Sequence, residues 1–507
     1  MSRPAPAAGA ADRPDRAPVG ARPGVRDLAR RLYGAIGGGD WLSRLVGLAA
    51  LIGTGVVLGA QYLSPDKRVI AVIAAIGLGG LVWRLSLISG VGLLIIALPY
   101  PRGTVFGSTN VVLVVGLLLI WLLRVSLRQS APPRRTPVDA PMLALLGAFI
   151  ISFYNIDSPL ALSRALANFL HLLAGYGMFY LIVNSVRHPG DLERLHLFQC
   201  ASIAVVGLFG IYEINHPAGV LIPGWIEFRH NVSDAVNIHN VRIGGPFFDF
   251  ELLSEYCAIN ILLVGLLLVR ARSGARRMLF GGLLTLTLFI MFATVTRGGI
   301  ISLIIGLLYI GWLQRHRLRI VPLALALVAA AAGLQALNFY VANFTHSGDL
   351  FARMTDPTSN QFEYGMPTAR LELWRSALER MMLHPIIGHG PVYMVERGLS
   401  FWYWPHNGYL FIGNLVGIVG LSCFLWLLWR LWRISRPPGT DLRDPNYARA
   451  YLIIAHVQML VFMVDQMKID FLRIPTYAYQ VWLLFAMVVA GHKVSRMSPA
   501  APEPAGR

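Results

Sequence analysis

The chain has 507 residues, 55% of them hydrophobic and only 14% charged, with a formal net charge of +18 at pH 7. That balance excludes an ordinary soluble globular protein, and apolar runs of about 16 to 23 residues, the length that crosses a hydrocarbon core, exclude a barrel of short alternating strands. The positive charge sits in short loops between those runs, which excludes a nucleic-acid footprint.

In chain order, residues 1–40 are rich in Pro, Ala, Gly and Arg, with no apolar stretch before Trp41. They are expected to form a disordered cytoplasmic tail, not a cleaved signal peptide. Hydropathy then predicts about 14 spans within residues 41–491, near 41–61, 69–83, 86–99, 109–124, 140–155, 162–184, 195–213, 250–269, 278–296, 298–314, 320–338, 407–429, 450–466 and 475–491. Residues 492–507 form a second cytoplasmic tail. Most Lys and Arg fall in loops on one side when both termini are placed inside, as the positive-inside rule asks. The expected fold class is therefore all-α, a polytopic helical membrane protein with N-in/C-in topology. Cys200, Cys257 and Cys423 lie apart in apolar runs and read as core residues, without a disulfide or thiolate metal site.

This topology leaves two long polar segments on the outer face, 214–249 and 339–405, together with the turn Thr296-Arg297-Gly298-Gly299. Ionisable groups are costly at membrane depth and are kept for a use, so chemistry is expected here. Arg297 is a candidate for gripping phosphate oxygens with its planar fork of donors, or for snorkelling to headgroups. Its flanking glycines allow close approach of a backbone or ligand. In the first segment Arg242 is a further candidate anion contact, while Glu251 and Glu255 just after it, one turn apart, are expected to pair with arginines.

Residues 367–382 of the second segment predict an amphipathic helix, opened by Pro367 and closed at His384-Pro385. Leu371, Trp374, Leu378 and Met381 form its apolar stripe, suited to a membrane surface or to span ends. Arg370 then projects near the headgroup plane, toward phospholipid or toward a phosphorylated substrate. The run Phe401-Trp402-Tyr403-Trp404-Pro405 is either an interfacial aromatic belt or a sugar platform. It leads into His406-Asn407-Gly408, where an imidazole near pKa 6.5 can accept a hydroxyl proton if cations nearby hold the leaving group. Asp465, near an outer span end, could orient an arginine or His406. His230, His384 and His389 lack metal-site spacing, so no metal and no cofactor is expected.

Thr294-Val295-Thr296-Arg297-Gly298-Gly299, Arg370-Leu371-Glu372-Leu373-Trp374, Pro385-Ile386-Ile387-Gly388-His389-Gly390, His406-Asn407-Gly408-Tyr409-Leu410 and Gly417-Ile418-Val419-Gly420-Leu421 together resemble the bacterial O-antigen ligase and O-antigen polymerase superfamily. The resemblance covers mainly residues 240–425. It implies a GT-C-like integral glycosyltransferase of the cytoplasmic (inner) membrane with its site facing the periplasm. The implied donor is a glycan linked to a polyprenyl (undecaprenyl-type) pyrophosphate, and the acceptor another glycan or lipid A-core in lipopolysaccharide biosynthesis. Membrane lipids are the other expected partner, and nucleic acid is not one. Carried over by position, the resemblance makes Arg297 and Arg370 the pyrophosphate ligands and His406 the base. Arg242, Trp374, Asn407 and Asp465 are the further substrate-binding candidates. Ligation is the favoured reading, polymerisation its alternative, and a transporter or lipid-linked glycan flippase the alternative of another class.

Overall fold

The computed structural model describes residues 86–99, 109–215, 220–222, 226–227, 242–316, parts of 332–343, 367–392 and 405–497. The expected tail 1–40, the spans 41–61 and 69–83, most of the span 320–338, much of both polar segments and the aromatic run 401–404 lie outside these residues.

The described residues are overwhelmingly helical. The helices are α1 (Leu87–Ala97), α2 (Thr109–Ser126), α3 (Asp139–Ser152), α4 (Pro159–Ser185), α5 (Pro189–Asn215), α6 (Phe250–Arg270), α7 (Gly274–Ala293), α8 (Arg297–Leu313), α9 (Pro367–Met381), α10 (Gly408–Ser435), α11 (Tyr447–Asp465) and α12 (Pro475–Ser495). Among them α4, α5, α6, α7, α10 and α11 are long and apolar enough to cross a membrane, and α1, α2, α3 and α8 are shorter apolar helices. The helical membrane architecture expected from hydropathy is present. One departure is a two-stranded antiparallel ribbon, Val220–Ile222 against Ile226–Glu227, inside the polar segment 214–249.

Helix starts follow local chemistry. Ser158 accepts from the Ala161 N–H ahead of Pro159, Asp249 from Glu251 and Leu252, Asn407 from Tyr409 and Leu410, and Asn446 from Ala448. In lipid, helix association gains little from burial of apolar area and depends on close packing through small residues. Gly299 of α8 lies so near α6 that a Cβ there would stand 1.9 Å from Ser254 Oγ, and Gly306 faces Val461 of α11 in the same way. With these contacts α6 and α11 become the central helices, buried along most of their length.

Helix α10 is broken at Gly417, whose φ of 65° and ψ of −169° are not helical. Backbone groups released at membrane depth need partners, and residues 385–390 supply them. Ile418 N donates to Pro385 O at 2.8 Å and Val419 N to Ile386 O at 3.3 Å, while His389 N and Gly390 N donate to Asn414 O and Leu415 O, each at 2.9 Å. From the other side Asn155 Nδ2 donates to Gly388 O and Asn168 Nδ2 to Pro391 O. The segment after α9 thus re-enters the helix bundle as a loop wedged between α10 and the α3–α4 region, and it fixes where α9 sits.

Candidate functional site

The C-terminal ends of α7 and α11 and the N-terminal ends of α6, α8, α10 and α12 form one end of the bundle, with the 466–474 connection among them. Glu251, in the first turn of α6, is the centre of the cluster there. Its Oε1 accepts from Arg370 Nη2 at 3.0 Å and its Oε2 from His406 Nδ1 at 2.9 Å. Arg473 Nη2 lies 3.7 Å from Oε2 and is ion-paired with Asp249, the α6 cap. Burial separates the cations: the Arg473 side chain is 6% exposed and the Arg370 side chain 32%.

An ionised carboxylate only accepts hydrogen bonds, so Nδ1 of His406 carries the hydrogen and Nε2 is the ring nitrogen left for a substrate. Burial disfavours the imidazolium, but the Glu251 carboxylate and its hydrogen bond outweigh burial. Arg473 opposes them and Asp470 assists, and the His406 pKa lies above the ordinary histidine value. Burial pushes Asp470 up to about 6 against the pull of Arg473, His406 and the Asn407 N–H. Arg473 is held firmly cationic by Asp249, Glu251 and Asp470 in spite of its burial.

The backbone around the cluster is strained. His406 (φ 45°), Val295 (φ 52°) and Phe248 (φ 53°) occupy the left-handed region that favours glycine. A β-branched residue such as Val295 is an outlier there, and each such position costs of order 1–3 kcal/mol. All three stand in the segments that deliver Arg242, Arg297 and His406. The His406 turn is fixed by its neighbours: Asn407 N donates to Asp470 Oδ1 at 2.8 Å and Gly408 N to Gln466 O at 2.8 Å.

The sequence candidates separate into groups. Arg370 and His406 meet through Glu251. Arg297, exposed, opens α8. Its glycines serve packing, since Gly299 admits Ser254 and Gly298 lies under the Lys468 side chain, 2.6 Å from where a Cβ would be. Arg242 Nη2 donates to Val295 O at 2.9 Å and its guanidinium lies over the Phe250 ring, so it braces the turn that leads to Arg297. Asn407 is committed to the fold, with Oδ1 capping α10 and Nδ2 directed at Met467 O. Asp465 orients neither an arginine nor His406: it is fully buried and holds Lys468 and Ser302. Trp374 Nε1 is buried without a hydrogen-bond partner among the described residues.

The expected stripe on α9 also divides. Met381 packs at Gly413 and Ala377 is buried against α10, where Asn414 Nδ2 donates to Ala377 O, whereas Leu371 and Leu378 are exposed. Residues 370, 374, 377 and 381 share the inward face, so the helix is turned to bring Arg370 onto the protein.

Sequence reading did not single out Arg473, Asp470 or Lys468. The signal available was three charges within the short apolar connection 466–474, Lys468 being one of three lysines in the chain. Among the described residues no group of three His, Cys, Asp or Glu side chains converges as a metal site would require.

Residues 281–425 match the family model described as O-antigen ligase. The match supports the O-antigen ligase/polymerase superfamily for that segment. No curated protein matches the chain. The match supports membrane glycan transfer of the O-antigen ligase/polymerase type. The matched segment contains Arg297, Arg370 and His406 but neither Glu251 nor Arg473, so α6 and the 466–474 connection complete the charge cluster around it.

Proposed function

We propose that this protein transfers a glycan from a polyprenyl-pyrophosphate carrier to a sugar hydroxyl, at the periplasmic face of the cytoplasmic membrane, with lipid A-core as the acceptor. The observation that carries the reading is the Glu251 carboxylate shared by a partly exposed arginine and a histidine. His406 Nε2 takes the proton of the acceptor O–H while the oxygen attacks the anomeric carbon. The bond from that carbon to the pyrophosphate oxygen breaks, and its electron pair leaves with the lipid pyrophosphate. Glu251 stabilises the imidazolium as it forms.

Charge builds on the departing pyrophosphate in the transition state, and fixed guanidinium donors in a partly dry site stabilise it most at that moment. Arg370 and Arg297 take that role, which removes the need for a metal ion. Arg242 and Asn407 act on substrate through the turns they brace, Asp465 through Lys468, and Trp374 stands on the same face of α9 as Arg370. The raised His406 pKa means that the base form is gained as pH rises.

Purified protein given a polyprenyl-pyrophosphate glycan and lipid A-core tests the assignment by where the glycan ends. Glycan joined to lipid A-core supports ligation. Glycan joined to a second carrier-linked repeat replaces ligation with polymerisation, and movement across vesicles without a new glycosidic bond overturns the transferase reading.

A further inference from the structure

The outward surface of α9 does not end with the helix. Leu371, Leu378 and Met382 are 61%, 49% and 71% exposed, and Leu383 and Ile386 in the re-entrant loop are exposed beyond them. At about 100° per residue, residues 371, 378 and 382 lie within one narrow sector. It adjoins the sector of Arg370, Trp374, Ala377 and Met381 that docks on the protein. On its other side stand Arg375 and Glu379, an exposed i,i+4 ion pair at 3.0 Å. The helix thus has three faces: one on the bundle, one apolar and exposed among the described residues, one charged.

What covers the apolar face is indicated by what it joins. Ile386 is tied through Pro385 O and Ile386 O to Ile418 N and Val419 N, and the side chains of Ile418 and Val419 are themselves exposed on the membrane-spanning helix α10. Exposed apolar side chains on a spanning helix face lipid tails. The band Leu371, Leu378, Met382, Leu383 and Ile386 is continuous with that surface. We propose that bilayer acyl chains are the partner of this band, so that α9 and the re-entrant loop are seated within the leaflet, with Arg375 and Glu379 at its headgroup boundary. An interfacial helix with an apolar face of this kind buries it about 5–10 Å into the headgroup and acyl boundary. Arg370, on the adjoining face, is then held near the depth of lipid phosphates. The inference rests on the spanning helices and stands apart from the reaction assigned above.

Spin labels at Leu378→Cys, Met382→Cys and Ser376→Cys, each in full-length protein with Cys423→Ser in phosphatidylglycerol/phosphatidylethanolamine nanodiscs, test it by collision with oxygen and with a water-soluble nickel complex. Val419→Cys supplies the lipid-facing reference. The proposal expects oxygen collisions to dominate at 378 and 382, as at 419, and nickel collisions to dominate at 376. Nickel access at 378 and 382 equal to that at 376 would overturn it. So would exclusion of both reagents from 378 and 382, which would mean that another protein surface or a second copy covers the face.

Discussion

Glu251 and His406 are 155 residues apart in the chain, yet Oε2 and Nδ1 stand 2.9 Å apart where the starts of α6 and α10 meet. The same carboxylate meets Arg370 through its other oxygen, so one acidic side chain fixes both the partly exposed Arg370 guanidinium and the imidazole. Removing one partner of a buried charge cluster leaves the others uncompensated, at a cost of about 3–5 kcal/mol.

Replacing Glu251 by Gln keeps the shape and removes the charge. The acid limb of the pH–rate profile for glycan transfer is expected to move to lower pH, because the anion that raises His406 is gone. The maximal rate is expected to fall roughly 10- to 100-fold, as the imidazolium loses its counter-ion. An unchanged limb would show that Glu251 does not set the His406 proton affinity. The other charges around the imidazole, Arg473 and Asp470, remain in this variant.

Stability and activity respond to pH in opposite senses. A histidine whose folded pKa is raised binds its proton more tightly in the native state, so its stabilisation is complete below the unfolded value near 6.5 and is lost as pH rises through the folded value. Asp470, pushed up to about 6, works in the same sense. The wild-type advantage over His406→Gln in thermal unfolding should therefore be largest in acid and shrink as the solution becomes alkaline. The wild-type transfer rate should climb over the same interval.

Gly417 is the point on which the re-entrant loop depends. A Cβ there would stand 2.2 Å from Ile386 O on a backbone with φ of 65°. Gly417→Ala is expected to cost about 1–3 kcal/mol and to open residues 382–392 to protease. A melting curve and cleavage pattern identical to wild type would contradict this account of the break.

Gly299→Ala drives a methyl group into Ser254. It is expected to displace the start of α8, and Arg297 with it, lowering both stability and transfer. Ser254→Gly should recover part of both losses, with a coupling of about 0.5–3 kcal/mol in a double-mutant cycle.

Much of this was legible in the sequence, and the exceptions have physical causes. Runs of apolar residues mark the helices, because length and hydropathy are local properties, whereas the Asp249 and Asn407 caps emerged only with the structure. Arg370 and His406 stood out because charge is rare in this chain. Glu251 was readable as an arginine partner, but its pairing with His406 depends on two helix starts meeting in space, which no local pattern encodes. Asp465 was misplaced because a carboxylate at a span end is drawn to whichever cation is near, and Lys468, three residues on, reaches it first. The α9 stripe was read as one face because all four residues are apolar, whereas docking on α10 selects the sector that carries Arg370. The strained turns at Val295 and His406 leave no sequence signature, since neither residue is one that the left-handed region favours.

The central claim is that Arg297, Arg370 and His406 form a single transfer site. It is tested most directly by single-turnover transfer from a polyprenyl-pyrophosphate glycan, using wild type and the His406→Ala, Arg370→Ala and Arg297→Ala variants in nanodiscs. The account predicts a loss of at least about 100-fold in each variant, with folding retained as judged by thermal unfolding. A wild-type rate in any one of the three variants would contradict it.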